Sequence, residues 1–438
     1  MKDNSFDVRD TAAYAIDALK KAGADKASCK VSHGRKDELN VEASNFSLLR
    51  TLFDDELTLQ VIKDNRKGLI HLNKLDKDSI DNAAAECVAL AVSASADEAD
   101  DIAPLVENKA FNRNIGGADM EQLFSRSKEL LEEVKDTFPE IALDMGTVFN
   151  GAKTAYINTN GVEFTDEAEC YQVGTTFTAK AGENSSSFNY YSSLITALDV
   201  PFIDLGMQRT LLEESVRSIK TRMVDSKFTG KIIMTPACED MLWYSILDCF
   251  LSKSALISGT SRWKDALGTQ VSDKKLTMRA APLSNNMVAA ERFTSDGFKS
   301  QDADFIRDGI LTSFALDLYG ANKTKKPRAA NTAFYNLEVA AGDTSVAEMI
   351  KSVDKGILVN RFSGAEPGPS GDISGVAKNS FLIENGQITD AVSETMLSFN
   401  IVDILMNIPA ISKERTANGI SLLPWCCLDG ITISGAVS

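Results

Sequence analysis

The stretch KIIMTPACEDMLWYSILDCFLSKSALISGTSRWKDALG, residues 231–268, marks the point at which the chain changes character. Lys231 to Met234 reads as a buried strand that enters a helix at Pro236, a residue suited to a first helical turn because its missing N–H would have no intrahelical partner there. Gly259-Thr260-Ser261 follows, then a short segment from Ser261 to Gly268. From Phe293 onward, hairpins punctuated by glycine dominate, the clearest being Phe381 to Ile388 around the Asn385-Gly386 turn.

Upstream of this stretch the pattern is helix, strands, helix, repeated. Between Val8 and Ala22 the apolar residues Ala12, Ala13, Ile16 and Leu19 recur at helical spacing, with Gly23 as the stop. Alternating segments near Ala27 to Ser32, Leu39 to Leu49, Glu56 to Lys63 and Gly68 to Leu72 predict antiparallel strands. A helix from Asp76 to Ser95, capped by Asp76 or Asp78, closes the first round. The second predicts a helix over Met120 to Thr137, strands over Ile141 to Val148, Lys153 to Ile157, Gly161 to Ala181 and Ser185 to Ile195, and a helix over Gln208 to Ile219. Asp97 to Gly117, rich in Asp, Asn and Gly, reads as the connection. The expected fold is α+β: a duplicated helix plus antiparallel-sheet N-terminal region, followed by a sheet-rich C-terminal domain with a few helices. Residues 1–115 and 116–225 are expected to form two α+β units related by duplication, and residues 226–438 the β-rich domain.

Composition narrows the function. A chain of 438 residues, 44% hydrophobic and 25% charged, is neither disordered nor fibrous and can hold two or three domains with real cores. Met1 to Asp7 shows no apolar targeting core, and no run approaches the roughly 18 apolar residues of a membrane span. Seven irregularly spaced cysteines argue for reduced thiols, so the expectation is a soluble cytoplasmic protein. A net charge of -16 opposes binding to a phosphate backbone, which relies on Lys and Arg to displace counterions. Neither nucleic acid nor membrane is expected as a direct partner. The only histidines, His33 and His71, lie outside residues 231–268. A zinc hydrolase usually needs two imidazoles on one helix and a third ligand, and this chain cannot build that site alone.

The order and spacing of several pieces carry a resemblance. They are residues 231–268, Asp308 to Thr312, Tyr319-Gly320 through Asn322 with Arg328, Glu348 to Ile350 leading to Gly356-Ile357, the Glu384-Asn385-Gly386 hairpin and the closing Pro424 to Gly435. Together they resemble the TldD/PmbA family, also called TldD/TldE, over essentially the whole chain. Active members of that family resemble zinc metalloproteases. In the metal-bearing branch the helix after the first strand of this domain carries His-Glu-x-x-x-His, and a cysteine near the C-terminus resembles a third ligand. Gapless registration puts the first histidine at Tyr244, the glutamate at Ser245 and the second histidine at Cys249. Counting back from Pro424 puts the cysteine at or near Ala410. These departures favour a PmbA/TldE-like member. The resemblance then implies a subunit that has no metal of its own, accompanies a zinc-bearing TldD-like partner, and is not catalytic alone.

Other residues invite bolder readings, each with a plainer counterpart. Cys238, Glu239 and Asp240 could form a nucleophile or metal site, but a helix N-terminus favours acidic residues anyway. Cys249 could be a reactive thiol, yet free cysteine commonly packs as a small apolar group. In the pair Cys426-Cys427 one side chain of two must face inward in any strand. His33 reads as a turn residue and His71 as a strand end. The cluster Lys323, Lys325, Lys326 and Arg328 could clamp a carboxylate or form a solvated loop. Ser261, Asn322 and Arg328 are candidate contacts for a peptide groove. Asp317, Tyr319 and Ser261 define no hydrolytic triad without a base of known geometry. The glycine-rich loop Ser363 to Gly371 lacks the ending of a phosphate loop and reads as surface turns.

Two function classes follow. The first is a non-catalytic subunit of a TldD/TldE-type protease that grips an unfolded peptide at exposed sheet edges. The family's associations with bacteriocin-precursor maturation, antitoxin turnover and DNA gyrase modulation fit peptide processing. The second is a homodimeric peptide-binding or scaffold protein. An enzyme acting through Cys249 or an unusual metal site is a third possibility, tested by metal content.

Overall fold

The computed structural model describes residues 7–331, 336–364 and 367–435, apart from the side chains of Glu239 and Asp240. It is an α+β fold built on two sheets. Helix α1 (Val8–Lys21) starts at Asp7, whose carboxylate accepts from the N–H groups of Arg9 and Asp10, and it buries Ala12, Ala15, Ile16 and Leu19. Strands β1 (Lys26–Glu42), β2 (Asn45–Lys63) and β3 (Arg66–Leu72) follow, then α2 (Lys77–Ser93), capped by Asp76 on the N–H of Ser79. Next come β4 (Lys109–Arg113), α3 (Met120–Thr137), β5 (Ile141–Asn158), β6 (Glu163–Ala181), β7 (Asn184–Ser185), β8 (Asn189–Ile195) and α4 (Gln208–Arg217).

The first sheet has the order β3-β2-β1-β5-β6, and β4 and β8 pair with successive parts of the far side of β6. Because β1 pairs with β5, residues 1–115 and 116–225 contribute to one continuous sheet. The odd-numbered apolar residues of β1 face the helices: Cys29 and Val31 pack with α1 and α2, and Val41 with α3 and α4. The other face carries Tyr156 and Phe164, which pack against Phe293 from the C-terminal half.

Three of the expected strand breaks are corrected here, one of them at residues 50–55, which lie inside the continuous strand β2. His33 to Glu38, expected as a turn, is the middle of β1, and the turn lies instead at Ala43-Ser44, with φ of 47° and 61°. Pairing on both sides lets β1 hold polar residues, since cross-strand partners satisfy them. His33 Nδ1 lies 2.6 Å from Asp55 Oδ1, and Thr51 Oγ1 donates to the buried Asp37 at 2.6 Å. Ala and Ser are poor signals for a positive-φ turn, so the sequence hid it. Likewise β5 runs unbroken through residues 149–152, where a gap was expected.

In the C-terminal half, β9 (Thr221–Met223) and β10 (Phe228–Met234) lead into α5 (Pro236–Ile246). β10 lies between the antiparallel strand Ser421–Ser434 and the parallel strand Lys355–Val359 of the second, larger sheet. Strand alternation gives this sheet two buried faces. Ile232, Met234, Ile357, Val359 and Cys426 face α5, where Trp243, Ile246, Leu247 and Phe250 are fully buried. Ile233, Leu358, Cys427 and Ala410 face the helix Val346–Lys351 through Met349.

The Asn385-Gly386 hairpin is as expected, with φ of 50° and 73°. A Cβ on Gly386 would meet the carbonyl oxygen of Lys351 at 2.8 Å. The substitution Gly386→Ala is therefore expected to cost at least about 1–2 kcal/mol, the general penalty of an L residue at positive φ, with the clash adding to it, and a denaturant titration would show it. Among the described residues, no helix is long and apolar enough to cross a membrane.

Candidate functional site

The helix that carries Tyr244 and Ser245 does not stay α-helical. After Ile246 it passes through a π turn, Leu247–Leu251, before Ser252 caps the short helix Lys253–Ile257 by accepting from the N–H of Ala255. A π turn bonds residue i to i+5, so it brings residues five apart toward one face, where an α-helix would splay them. Tyr244 and Cys249 are five apart, and both are half-buried against the large core. Nothing in the local sequence signals this change of pitch.

The side chains here are engaged with the backbone. Ser245 Oγ donates to the carbonyl of Met241 at 2.7 Å, and Cys249 Sγ donates to the carbonyl of Pro367 at 3.3 Å. Beneath them the rings of Phe250 and Trp263 lie 4.7 Å apart. Ala410 is not brought to this cluster. It pairs with Cys427 and points into the core on the opposite face, while its neighbour Ile411 faces α5. The pairing of Ala410–Ala417 with Ser421–Ser434 shifts register between Ile411 and Arg415.

Among the described residues, no three His, Cys, Asp or Glu side chains converge as metal ligands. His33 and His71 lie in the first sheet, where His71 Nδ1 is 2.9 Å from Thr58 Oγ1. A phenol, a hydroxyl and one thiol do not fit the tetrahedral zinc site that the family's metal-bearing branch implies. Cys238 is 4% exposed and packs in the core, while the Glu239 and Asp240 side chains lie outside the described residues. Cys426 and Cys427 are both buried, on opposite faces of their strand, and burial pushes the Cys427 thiol up to about 11. Burial likewise raises Cys87 to about 11. Only Cys170 and Cys249 are half-buried. Alkylation of the native chain is expected to modify these two first, with the other thiols reacting only after unfolding, as peptide mass mapping would show.

The three candidate groove contacts are held by intramolecular bonds. Ser261 is 2% exposed, donates to the carbonyl of Phe250 at 2.7 Å and accepts from the N–H of Trp263 at 3.1 Å. Asn322 Nδ2 donates to the carbonyl of Ala99 at 3.1 Å. Arg328 grips Asp296 with Nε at 2.9 Å and Nη2 at 2.7 Å, donates also to Thr294 Oγ1, and stacks 3.7 Å from the ring centre of Phe298. Each of these side chains ties its own loop to a neighbouring segment. Two further members of the basic cluster are engaged: Lys323 pairs with Asp97 at 2.6 Å, and Lys326 lies over the ring of Phe314. Asp317 pairs with Lys253 and caps Leu318–Thr324, while Tyr319 donates to Asp97, so neither faces Ser261 as a triad partner would. In the loop Ser363 to Gly371, Ala365 and Glu366 lie outside the described residues.

One buried group had no signature in the sequence. Glu214 on α4 is 8% exposed, and Asn360 Nδ2, at the end of the strand Lys355–Val359, donates to it at 2.7 Å. An isolated glutamate in an amphipathic helix reads as a surface residue until a second domain covers it.

Residues 229–435 match the model of the PmbA/TldA metallopeptidase C-terminal domain. The chain is 30% identical to the metalloprotease PmbA of Escherichia coli over 152 residues, about a third of each protein (34%). It is 23% identical to the PmbA homologue of Haemophilus influenzae over 99% of this chain and 98% of that one. The TldE structure from Thermococcus kodakarensis superposes with a TM-score of 0.83 at 16% identity, covering 97% of this chain and all (100%) of that one. A Bacteroides thetaiotaomicron protein described as a candidate modulator of DNA gyrase superposes at 0.85 with 21% identity, covering 98% of each chain. The two-sheet α+β architecture with its strand-to-helix junction at Pro236 is thus that of a metallopeptidase-related protein. Residues 229–435 thus carry the C-terminal domain of the TldD/PmbA family, and over nearly its whole length the chain is similar to PmbA and TldE proteins.

Proposed function

We propose that this chain is a subunit without zinc of its own in a TldD/TldE-type protease that acts on unfolded peptides in the cytoplasm. The observation that carries the reading is the π turn. It begins three residues after Tyr244 and contains Cys249, so the helix changes pitch between the positions at which the resemblance puts His-Glu-x-x-x-His and this chain has Tyr244, Ser245 and Cys249. Zinc and the general base would then come from a TldD-like partner. The open edges of the second sheet, among them the strand Arg361–Gly364, which pairs on one side only, would let an extended peptide add backbone hydrogen bonds. The alternative is a homodimeric scaffold with no protease activity.

Native mass spectrometry of the chain, alone and mixed with a metal-bearing homologue from the same source, tests the proposal alongside an unfolded-peptide cleavage assay. Cleavage is expected only when both chains are present, and it should stop on chelation. A homo-oligomer that ignores the homologue and cuts nothing would favour the scaffold. Chelator-sensitive cutting by this chain alone would sink both readings.

A further inference from the structure

The strand Arg361–Gly364 lies at an edge of the second sheet, paired antiparallel with Asp372–Lys378 and with no strand on its other side among the described residues. Phe362 stands opposite Ala377, and both pack into the large core. Alternation along the strand sends Arg361 to the other face, together with its cross-strand partner Lys378. Directly opposed residues hold their Cβ atoms roughly 4.5–5.5 Å apart, and like charges placed so destabilise the pairing. Neither cation makes an ion pair among the described residues, although the chain carries a net charge of -16. The Arg361 side chain is nevertheless held in place. Its guanidinium lies 3.6 Å from the ring centre of Phe188 and 5.8 Å from that of Tyr190. Nη1 donates to the carbonyl of Phe188, which also accepts from Asn379 Nδ2 at 3.1 Å. Nε and Nη2 have no acceptor among the described residues. Burial pulls the guanidinium below its ordinary range, and no carboxylate offsets that pull. Phe188 and Tyr190 are 51% and 53% exposed, so the stack borders solvent.

We propose that Arg361 and Lys378 receive a carboxylate of an extended peptide that adds to the open side of Arg361–Gly364. A strand laid there sets one of its side chains directly beside Arg361, on the same face of the sheet. An Asp or Glu at that position, or a carboxylate at the end of the peptide, takes the two open donors of the guanidinium, and Lys378 supplies a second positive charge behind it. The anion relieves the repulsion between the opposed cations, so a pair that weakens the empty edge strengthens the occupied one. Because Phe188 already fixes the guanidinium, little side-chain entropy is lost on binding. The inference rests on the peptide-binding reading and deepens it by naming the chemical group that this edge selects.

Fluorescence anisotropy of labelled unfolded peptides on the full chain tests it. Three versions of one peptide are compared: a single Glu with an amidated end, Gln in its place with a free terminal carboxylate, and Gln with an amidated end. The wild type is expected to bind at least one carboxylate-bearing version roughly tenfold more tightly than the neutral one, the scale of one charge-assisted hydrogen bond. Which version gains tells a side chain from a chain end. Arg361→Gln and Lys378→Gln should each erase most of that preference and leave the affinity for the neutral peptide unchanged. Lys378→Gln removes the repulsion without touching the Phe188 stack, so it should melt no lower than the wild type, and its loss of preference is then not a loss of fold. Equal affinity for all three versions, or a preference that survives both substitutions, would overturn the carboxylate anchor and leave strand addition at this edge standing. Binding of no version, alone or with a metal-bearing homologue present, would overturn both.

Discussion

Replacing Arg328 with alanine is expected to lower the unfolding free energy by about 3–5 kcal/mol, the range for removing one partner of a buried ion pair. The side chains of Arg328 and Asp296 are each 16% exposed and meet through two guanidinium nitrogens. Asp296 accepts in addition from Thr294 Oγ1 at 2.6 Å and the N–H of Leu318 at 2.8 Å. Without Arg328 a buried carboxylate would keep only neutral donors. Burial alone would raise the Asp296 pKa, but the guanidinium and these donors win and hold it below the usual carboxylate range. A depressed folded-state pKa contributes stability that is present above the unfolded value and lost as pH falls through the folded one. The wild type should therefore show an acid-side loss of stability that Arg328→Ala largely removes. Arg328→Lys keeps the charge but not the paired geometry or the stacking on Phe298, and should fall in between. Urea titrations from pH 3 to 7 check this. If peptide binding fell in Arg328→Ala with no change in stability, the brace role would be wrong and a groove contact right.

Replacing Glu214 with glutamine is expected to have the opposite sign, stabilising the protein by roughly 3 kcal/mol near pH 8 and hardly at all near pH 4. Burial pushes the Glu214 carboxyl up to about 8, outweighing the opposing pull of Arg217 on the same helix and the hydrogen bond from Asn360. A carboxyl whose pKa is raised on folding is held protonated by the native state while the unfolded chain ionises near the ordinary value of 4.5. The native state thus binds the extra proton between those values, and stability falls as pH rises through that window. Glutamine resembles the protonated acid and can still accept from Asn360 Nδ2, so the variant should show a flatter profile. Melting temperatures of both proteins across pH 4 to 9 would decide it. Parallel curves would mean that the carboxyl is not buried as described.

Much of the fold was legible in the chain. The capping of α2 by Asp76, the helices of Val8–Lys21 and Met120–Thr137, the strand entering Pro236 and the Asn385-Gly386 hairpin each follow from local chemistry. A cap, a helical stripe or a positive-φ dipeptide is read within a few residues. The strand boundaries in the first sheet were not legible, because polar residues such as His33 and Asp37 became strand only when neighbours on both sides supplied partners. Of the candidate site, the residue types at positions 244, 245 and 249 are readable from the chain, while the face that Ala410 presents depends on strand pairing.

By itself, then, the sequence determined the α+β class, the family, and the identity of the side chains at the helix positions where metal ligands would be sought, because these depend on local pattern and residue order. Only the tertiary structure decided that the helix changes pitch at Leu247, that Ser261, Asn322 and Arg328 are braces, that Glu214 is buried and that Lys378 stands opposite Arg361. Apart from the change of pitch, each of these is a relation between separate segments of the chain. Burial, charge compensation and strand pairing are set by whatever the rest of the chain brings alongside, and no local window contains that information.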